Sequence, residues 1–182
     1  MRRGELSGLE WKNIDLENNI IHVKQSIPLF IDGKPHVKEP KTKGSVRSIA
    51  IPEYVAEEIK QYKAFWLEVK EKHSDIWYPD GEFLFCNIRY KKSMEKPLLP
   101  KTLREKWQDF IKIRNKNIRY IRFHDIRHTT VSILINRGIH AKIISERVGH
   151  SKIETTMDVY GHLMKSAELK AAATLGDALR VD

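Results

Sequence analysis

The chain has 182 residues, with 33 lysines and arginines against 24 acidic residues, so its formal net charge is +9 at pH 7. This length suits one domain with a core of its own. A single cysteine rules out a disulfide within the chain, and the sequence has neither a signal peptide nor a long apolar run. These features exclude the secreted disulfide-rich and membrane-spanning classes, and we expect a cytoplasmic protein that enters no membrane.

The first 51 residues predict a helix followed by a small antiparallel sheet of three strands. The helix is expected over residues 1–11, with Leu6 and Leu9 facing inward. The sheet is indicated by strand and turn signals. A turn at Asn18 and Asn19 leads into a strand over 20–25, and a second turn is expected at 31–34. A basic loop over 38–43 then leads into a closing strand over 46–51.

The middle of the chain predicts two helices with a buried stripe each. Pro52 begins a long helix whose inward residues are Val55, Ile59, Tyr62, Trp66 and Val69. After a loop over 73–81, a short apolar run over 83–86 and a polar loop over 89–100, a second helix is expected over 102–115, burying Leu103, Trp107, Phe110 and Ile111. The fold class is therefore α+β and mainly helical.

Most groups suited to one reaction lie between His124 and His162. His124, Arg127 and His128 share one face of a predicted helix that Gly138 ends. A second short helix is expected to end at Gly149. Ser151 and Glu154 then predict a capping box for a third helix that Gly161 breaks. A last helix is expected over 163–179, packing on its own domain or on another chain.

Short turns between these helices bring their polar ends together, and the groups there suit phosphoryl transfer. Arginine has a planar fork that matches phosphate oxygens. Histidine donates to a non-bridging oxygen or moves a proton, and tyrosine can attack phosphorus.

The positive charge is concentrated beside this region. Residues 101–127 hold nine basic residues against three acidic ones, and residues 34–47 hold five against one. A basic surface of this kind suggests a polyanion, most simply DNA; the alternative is an ordinary solvated surface.

Four blocks in order resemble the tyrosine recombinases of the phage-integrase family. They are Met1-Arg2-Arg3-Gly4-Glu5-Leu6, Lys41-Thr42-Lys43-Gly44-Ser45-Val46-Arg47, His124-Asp125-Ile126-Arg127-His128 and Val148-Gly149-His150 with Tyr160. The resemblance implies the catalytic domain of an integrase from a phage or conjugative element. It implies strand exchange on double-stranded DNA at attachment sites through a 3′-phosphotyrosyl link, with no metal or nucleotide cofactor. It also implies self-association on DNA, as a tetramer in the synapse.

The resemblance also assigns roles to single residues. Tyr160 is the nucleophile, Arg2 and Arg127 hold the non-bridging oxygens, and His150 donates to the same phosphate. His124 is the proton acceptor or a hydrogen-bond partner. Lys41, rather than Lys43, is the acid for the leaving 5′-oxygen. Glu5 orients the arginine side of the pocket, and His128 is a supporting residue.

Other interpretations stay open at this point. Tyr160 could be a core tyrosine, and His124 with His128 could ligate a metal, although the glutamate typical of that zinc pattern is absent. The competing functions are a metal-dependent nuclease and a non-catalytic DNA-binding module, and DNA relaxation could be a side reaction. Whether Tyr160 acts in its own subunit or in a neighbour is also open.

One further expectation concerns the extent of the chain. Members of this family carry a core-binding domain and part of the catalytic domain before the first arginine, and here that arginine is Arg2. We therefore expect residues 1–182 to be a single catalytic domain that lacks those preceding parts.

Overall fold

The computed structural model describes residues 1–39, 46–77, 82–88, 96–114, 119–163 and 167–179. Helices dominate, and the strands lie near the N-terminus, which confirms the predicted α+β class. The helices are α1 (Arg3–Ser7), α2 (Glu53–Lys72), α3 (Pro100–Asp109), α4 (Asp125–Asn136), α5 (Ala141–Val148), α6 (Glu154–Leu163) and α7 (Ala167–Leu179). The strands are β1 (Ile14–Asp15), β2 (Ile20–Val23), β3 (Phe30–Ile31), β4 (Lys34–Pro35) and β5 (Arg47–Ala50).

The three-stranded antiparallel sheet has the order β1-β2-β5. Asn19 has a positive φ of 56° in the turn that leads into β2, and Val23 pairs with Arg47 at the start of β5. The predicted turn at 31–34 is a two-residue hairpin between β3 and β4, with Asp32 and Gly33 both at positive φ, as such turns require. The basic loop predicted at 38–43 falls mostly outside the described residues.

The N-terminal helix is much shorter than predicted. The helix α1 ends at Ser7, because the chain from Leu9 onward is drawn into extended pairing with a distant segment. Leu84 N donates to Leu9 O at 2.8 Å, and Trp11 N donates to Glu82 O at 2.8 Å. Leu9 is buried there, whereas Leu6 is only half-buried.

The core around the sheet is aromatic. Trp66 of α2 is 1% exposed and lies edge-on to Trp11 and Trp77. Its indole Nε1 donates to Cys86 Sγ at 3.3 Å, so the single cysteine is a buried packing residue. The inward stripe predicted for α2 is confirmed at Trp66, with Ile59 and Tyr62 half-buried against the same core.

The predicted burial of Phe110 is wrong. The helix α3 is followed by a π-helical turn over Phe110–Arg114, whose wider winding rotates the apolar positions. Ile111 takes the buried place at 3% exposure, and Phe110 is 45% exposed and stacks on Trp107.

A second core holds α4, α5 and α6 together. Val131 and Ile135 of α4 and Ile144 and Val148 of α5 are each at most 4% exposed. Burying such side chains contributes about 2 kcal/mol each, which fixes α5 against α4. Positive φ angles at Gly138 and Gly149 end the two helices, as predicted.

Two predictions at the third helix are wrong. The helix α6 begins at Glu154, because Ile153 O accepts the first helical hydrogen bonds, so Ser151 lies too early to form a capping box. Gly161 does not end α6, which continues to Leu163. A single glycine costs a helix about 1 kcal/mol relative to alanine, and this is too little to stop it here.

The last predicted helix is present as α7, starting at Ala167. Within the described ranges, no helix combines the length and apolarity that a membrane span requires.

Candidate active site

The first turn of α1 places an arginine and a glutamate side by side. Glu5 accepts a hydrogen bond from the backbone N of Arg2 at 2.6 Å and another from Arg2 Nη1 at 3.1 Å. The side chain of Glu5 is 6% exposed, and that of Arg2 is 42% exposed. Arg2 also donates through Nη2 to the carbonyl of Gly149 at 2.6 Å. The N-terminus of α1 is therefore joined directly to the end of α5.

Arg47 completes this cluster from the sheet. Its Nη1 and Nη2 donate to the two oxygens of Glu5 at 3.0 and 2.8 Å, and its Nε donates to the carbonyl of Arg147 at 3.0 Å. Burial would raise the pKa of Glu5, but hydrogen bonds from Arg47 and from the backbone of Arg2 lower it below the ordinary value. Glu5 is therefore a buried carboxylate shared by two guanidinium groups.

Arg127 brings a third guanidinium to the same place. It lies in the first turn of α4 and is 7% exposed. Burial, followed by the nearby charge of Arg2, lowers the pKa of Arg127 to about 10, so it stays charged at neutral pH. Its Nη1 is buried and has no hydrogen-bond partner among the described residues. A buried N–H donor without a partner is costly, and a bound anion would satisfy it.

His150 lies in the turn that follows α5. Its Nδ1 is 2.8 Å from Oγ1 of Thr156, a fully buried residue of α6. Burial, and then the charges of Arg127 and Arg2, lower the pKa of His150 to about 4. His150 is therefore a neutral imidazole at pH 7, held by one side-chain hydrogen bond.

His124 and His128 lie beside this cluster on the exposed side of α4. Their ring centroids are 5.1 Å apart with planes at 80°. Burial, then the charges of His128 and Arg127, lower the pKa of His124. An open cleft of about 350 Å³ is lined by His124 together with Arg2, Arg3, Gly4, Glu5, Ser26, Pro28 and Pro100. The cleft is a path by which a ligand can reach Arg2 and His124 from solvent.

Tyr160 is not turned toward the three arginines. Its hydroxyl donates to the carbonyl of Ile139 at 3.3 Å, and its ring packs on the core between α4 and α5. Ile139 precedes α5, whereas Gly149 follows it. The eight residues of α5 span roughly 12 Å at 1.5 Å per residue. The hydroxyl therefore lies at the opposite end of α5 from His150.

The structure thus brings together most of the predicted residues. Arg2, Glu5 and Arg127 form one charged cluster beside the neutral His150, with His124 and His128 at its edge. Tyr160 lies apart in this conformation. Lys41 and Lys43 lie outside the described residues. Among the described residues, no group of three or more His, Cys, Asp and Glu is placed to hold a metal ion.

Sequence reasoning missed two residues of this region. Arg47 was read only as part of a motif and of a strand, and Thr156 was not singled out. The signal for Arg47 was its charge within a strand that was expected to pack on a core, where an arginine needs a buried partner. Nothing in the sequence alone pairs Thr156 with His150, because the intervening turn decides which residue of α6 faces the imidazole.

Comparison with known proteins gives consistent results. The model of the phage integrase family matches residues 1–167. A tyrosine recombinase XerC-like protein of Caldanaerobacter subterraneus is 32% identical, covering 97% of this chain and 46% of the relative. The ICEBs1 integrase of Bacillus subtilis is also 32% identical, over 98% of this chain and 46% of the relative. The chain therefore spans a little under half the length of these curated relatives.

Solved structures show the same fold. The Tn1549 transposon integrase in complex with circular intermediate DNA superposes with a TM-score of 0.74 at 25% identity, covering 96% of this chain and 56% of that chain. The XerA recombinase superposes with a TM-score of 0.65 at 21% identity, covering 95% of this chain and 52% of that chain.

Proposed function

Because the chain belongs to the phage integrase family, we propose that it is the catalytic domain of a site-specific DNA recombinase. It cuts and rejoins DNA through a 3′-phosphotyrosyl intermediate, using neither a metal nor a nucleotide. The observation that carries this proposal is the cluster of Arg2, Arg47 and Arg127 around Glu5. Three positive charges and one negative charge leave a net charge of +2 next to the neutral His150. Such a site suits a phosphodiester that gains negative charge in the transition state.

The two arginines that can still reach a ligand are Arg2 and Arg127. The side chain of Arg2 is partly exposed, and Nη1 of Arg127 has no hydrogen-bond partner among the described residues. In our proposal they bind the two non-bridging oxygens of the scissile phosphate. His150 donates its Nε2 proton to the same phosphate, since its Nδ1 faces the hydroxyl of Thr156. His124, at the cleft, accepts a proton or a hydrogen bond.

Tyr160 is the nucleophile in this proposal. Its hydroxyl gives its proton to His124 as its oxygen attacks phosphorus. The phosphotyrosyl bond forms as the bond from phosphorus to the 5′-oxygen breaks. Lys41, which lies outside the described residues, protonates the leaving oxygen. A 5′-hydroxyl of the partner strand then attacks the phosphotyrosyl link, which releases Tyr160. The hydroxyl must first leave the carbonyl of Ile139, so cleavage requires Tyr160 to move toward Arg127.

The partners follow from the same chemistry. The substrate is double-stranded DNA at the attachment sites of a mobile element, and strand exchange needs several copies on DNA, which we propose to be a tetramer in the synapse. We place the reaction in the cytoplasm, where such DNA is found. The solved relative of transposon Tn1549 was obtained with circular intermediate DNA, and this supports joined element ends as the first DNA to test.

The test is a trapping assay. A duplex that carries the joined ends of the element, nicked beside the expected cleavage point, is incubated with the protein in EDTA and run on a denaturing gel. The nick lets a short fragment diffuse away, so a covalent intermediate accumulates. Both this chain and a version extended to the length of its relatives are used, because the chain spans under half of their length.

A slow-migrating protein–DNA adduct that is lost in Tyr160→Phe would support the proposal. Cleavage that needs a divalent metal would favour a nuclease. DNA binding without an adduct in both forms of the protein would favour a non-catalytic DNA-binding module and would refute the proposal.

A further inference from the structure

We infer that Arg47 is a positioning residue of the strand-transfer site, which holds Glu5 so that Arg2 is presented to the phosphate and which supports the turn that carries His150. This inference rests on the proposed function. Arg47 is the one residue of this cluster that the sequence reasoning did not place in the site. It comes from β5, whereas Arg2 immediately precedes α1, and both guanidinium groups donate to Glu5.

Arg47 is buried, and its side chain donates hydrogen bonds within the protein. Its side chain is 6% exposed, and its Nε, Nη1 and Nη2 all donate within the protein, whereas Nη1 of the equally buried Arg127 has no partner among the described residues. Its donors reach two other elements of the fold, the carboxylate of Glu5 in α1 and the carbonyl of Arg147 in α5. A buried guanidinium is costly unless its hydrogen bonds are satisfied, and those of Arg47 join β5 to α1 and α5.

The positive charge of Arg47 leaves the charge of Arg2 available to a ligand. With Arg47 in place, one positive charge compensates Glu5 and the charge of Arg2 remains for a ligand. Without Arg47, Glu5 and Arg2 would form a neutral pair, and the carboxylate would compete with phosphate for the guanidinium fork. The exposures fit this division, since the side chain of Arg2 is 42% exposed and that of Glu5 only 6%.

The turn before His150 rests directly on Arg47. Gly149 has φ +71°, and a Cβ atom built on it would lie 2.7 Å from Arg47 Nη1 and 2.8 Å from Arg47 Cζ. The backbone of Gly149 therefore packs against the flat guanidinium, and its carbonyl accepts from Arg2. A shift of Arg47 would move Arg2 and His150 together, although Arg47 touches neither the substrate nor the nucleophile.

The experiment measures two quantities for each variant in whichever form of the protein gives the wild-type adduct. One is the affinity for uncleaved duplex, and the other is the single-turnover rate of adduct formation at saturating nicked DNA. For Arg47→Gln we expect a rate on the order of 100-fold lower, the cost of misplacing a reacting geometry by about 1 Å. The affinity should change by less than about threefold, because Arg47 makes no phosphate contact.

Three further variants separate positioning from folding. Arg47→Lys keeps the charge but not the fork, and its rate should lie between those of the wild type and Arg47→Gln. Glu5→Gln combined with Arg47→Gln removes both buried charges, so it should regain melting temperature without regaining the rate. Arg137→Gln, at an exposed arginine after α4, is the matched control and should cleave like the wild type.

A double-variant comparison tests the route through Arg2. If Arg47 acts through Arg2, the double variant Arg2→Gln with Arg47→Gln should be little slower than Arg2→Gln alone. If the rate losses of the two single variants multiply in the double variant, Arg47 does not act through Arg2. If the Arg47→Lys and Glu5→Gln/Arg47→Gln proteins are folded and cleave at the wild-type rate, the whole inference is overturned. These outcomes are distinct from a failure of the proposed function, in which the wild-type protein itself forms no adduct.

Discussion

Replacing Thr156 with valine tests whether one buried hydrogen bond sets the state of His150. Thr156 is fully buried and its hydroxyl is 2.8 Å from Nδ1 of the imidazole. With the pKa of His150 lowered to about 4, the ring is neutral at pH 7 and carries one N–H proton. If Nε2 donates that proton to phosphate, Nδ1 must accept from Thr156. Valine keeps the shape of threonine and removes the donor.

The expected magnitude follows from the loss of this bond. Leaving a buried acceptor unsatisfied costs about 1 to 3 kcal/mol, which corresponds to a fall of roughly 5- to 150-fold in rate if the cost falls on the transition state. The assay is the single-turnover rate of adduct formation with nicked DNA at saturation. A thermal melt of each protein reports on folding.

Thr156→Ser is the matched control, since it keeps the hydroxyl and loses only a methyl group. It should cleave near the wild-type rate and lose about 1 kcal/mol of stability through the small cavity. Thr156→Val should instead keep the stability of the wild type and lose cleavage rate. A folded Thr156→Val protein with the wild-type rate would show that Thr156 does not set the tautomer of His150.

Three other outcomes can be measured on the same protein. Gly149→Ala should destabilise the fold by about 2 kcal/mol more than Gly138→Ala in urea unfolding, because both glycines have positive φ but only Gly149 abuts Arg47; equal losses would contradict the close approach. The lowered pKa of His150 means that the unfolded chain takes up a proton below pH 6.5 and the folded protein only near pH 4, so stability should fall as the pH drops through this window. His150→Gln should flatten that slope in melts across the window, and an unchanged slope would contradict it. Tyr160→Phe should lose the adduct and cost no more than about 1 kcal/mol of stability, because its hydrogen bond to Ile139 is long at 3.3 Å; a much larger loss in urea unfolding would mean that the hydroxyl is chiefly structural.

The buried face of a helix could be predicted, because apolar residues that recur at the helical period lie on the side that packs against the core. The spacing of Ile59, Tyr62 and Trp66 predicted the inward face of α2, where Trp66 is 1% exposed and the other two pack against the same core. Gly138 and Gly149 were predictable as helix ends, because few other residues adopt positive φ without strain. Phe110 was not predictable, since the π-helical turn changes the helical period that the expectation assumed.

The composition of the candidate site was also predictable, but its geometry was not. Arg2, Glu5, Arg127 and His150 were identified from motifs and from the chemistry of their side chains, and their roles stay predictions. The place of Tyr160 depends on how α6 packs on α4 and α5. That packing puts its hydroxyl on the carbonyl of Ile139, and no local pattern encodes this contact.

The residue types and most of the helices and turns could be read from the sequence, because charge, helical period and glycine turns depend on a few neighbouring residues. The sequence also determined the excess of positive charge that points to DNA. Only the tertiary structure brought Arg47 to Glu5, 42 residues away in the chain, and Arg2 to the carbonyl of Gly149, 147 residues away. Such contacts form where separate elements pack and each buried charge must find a partner, so they depend on the whole fold rather than on any one segment.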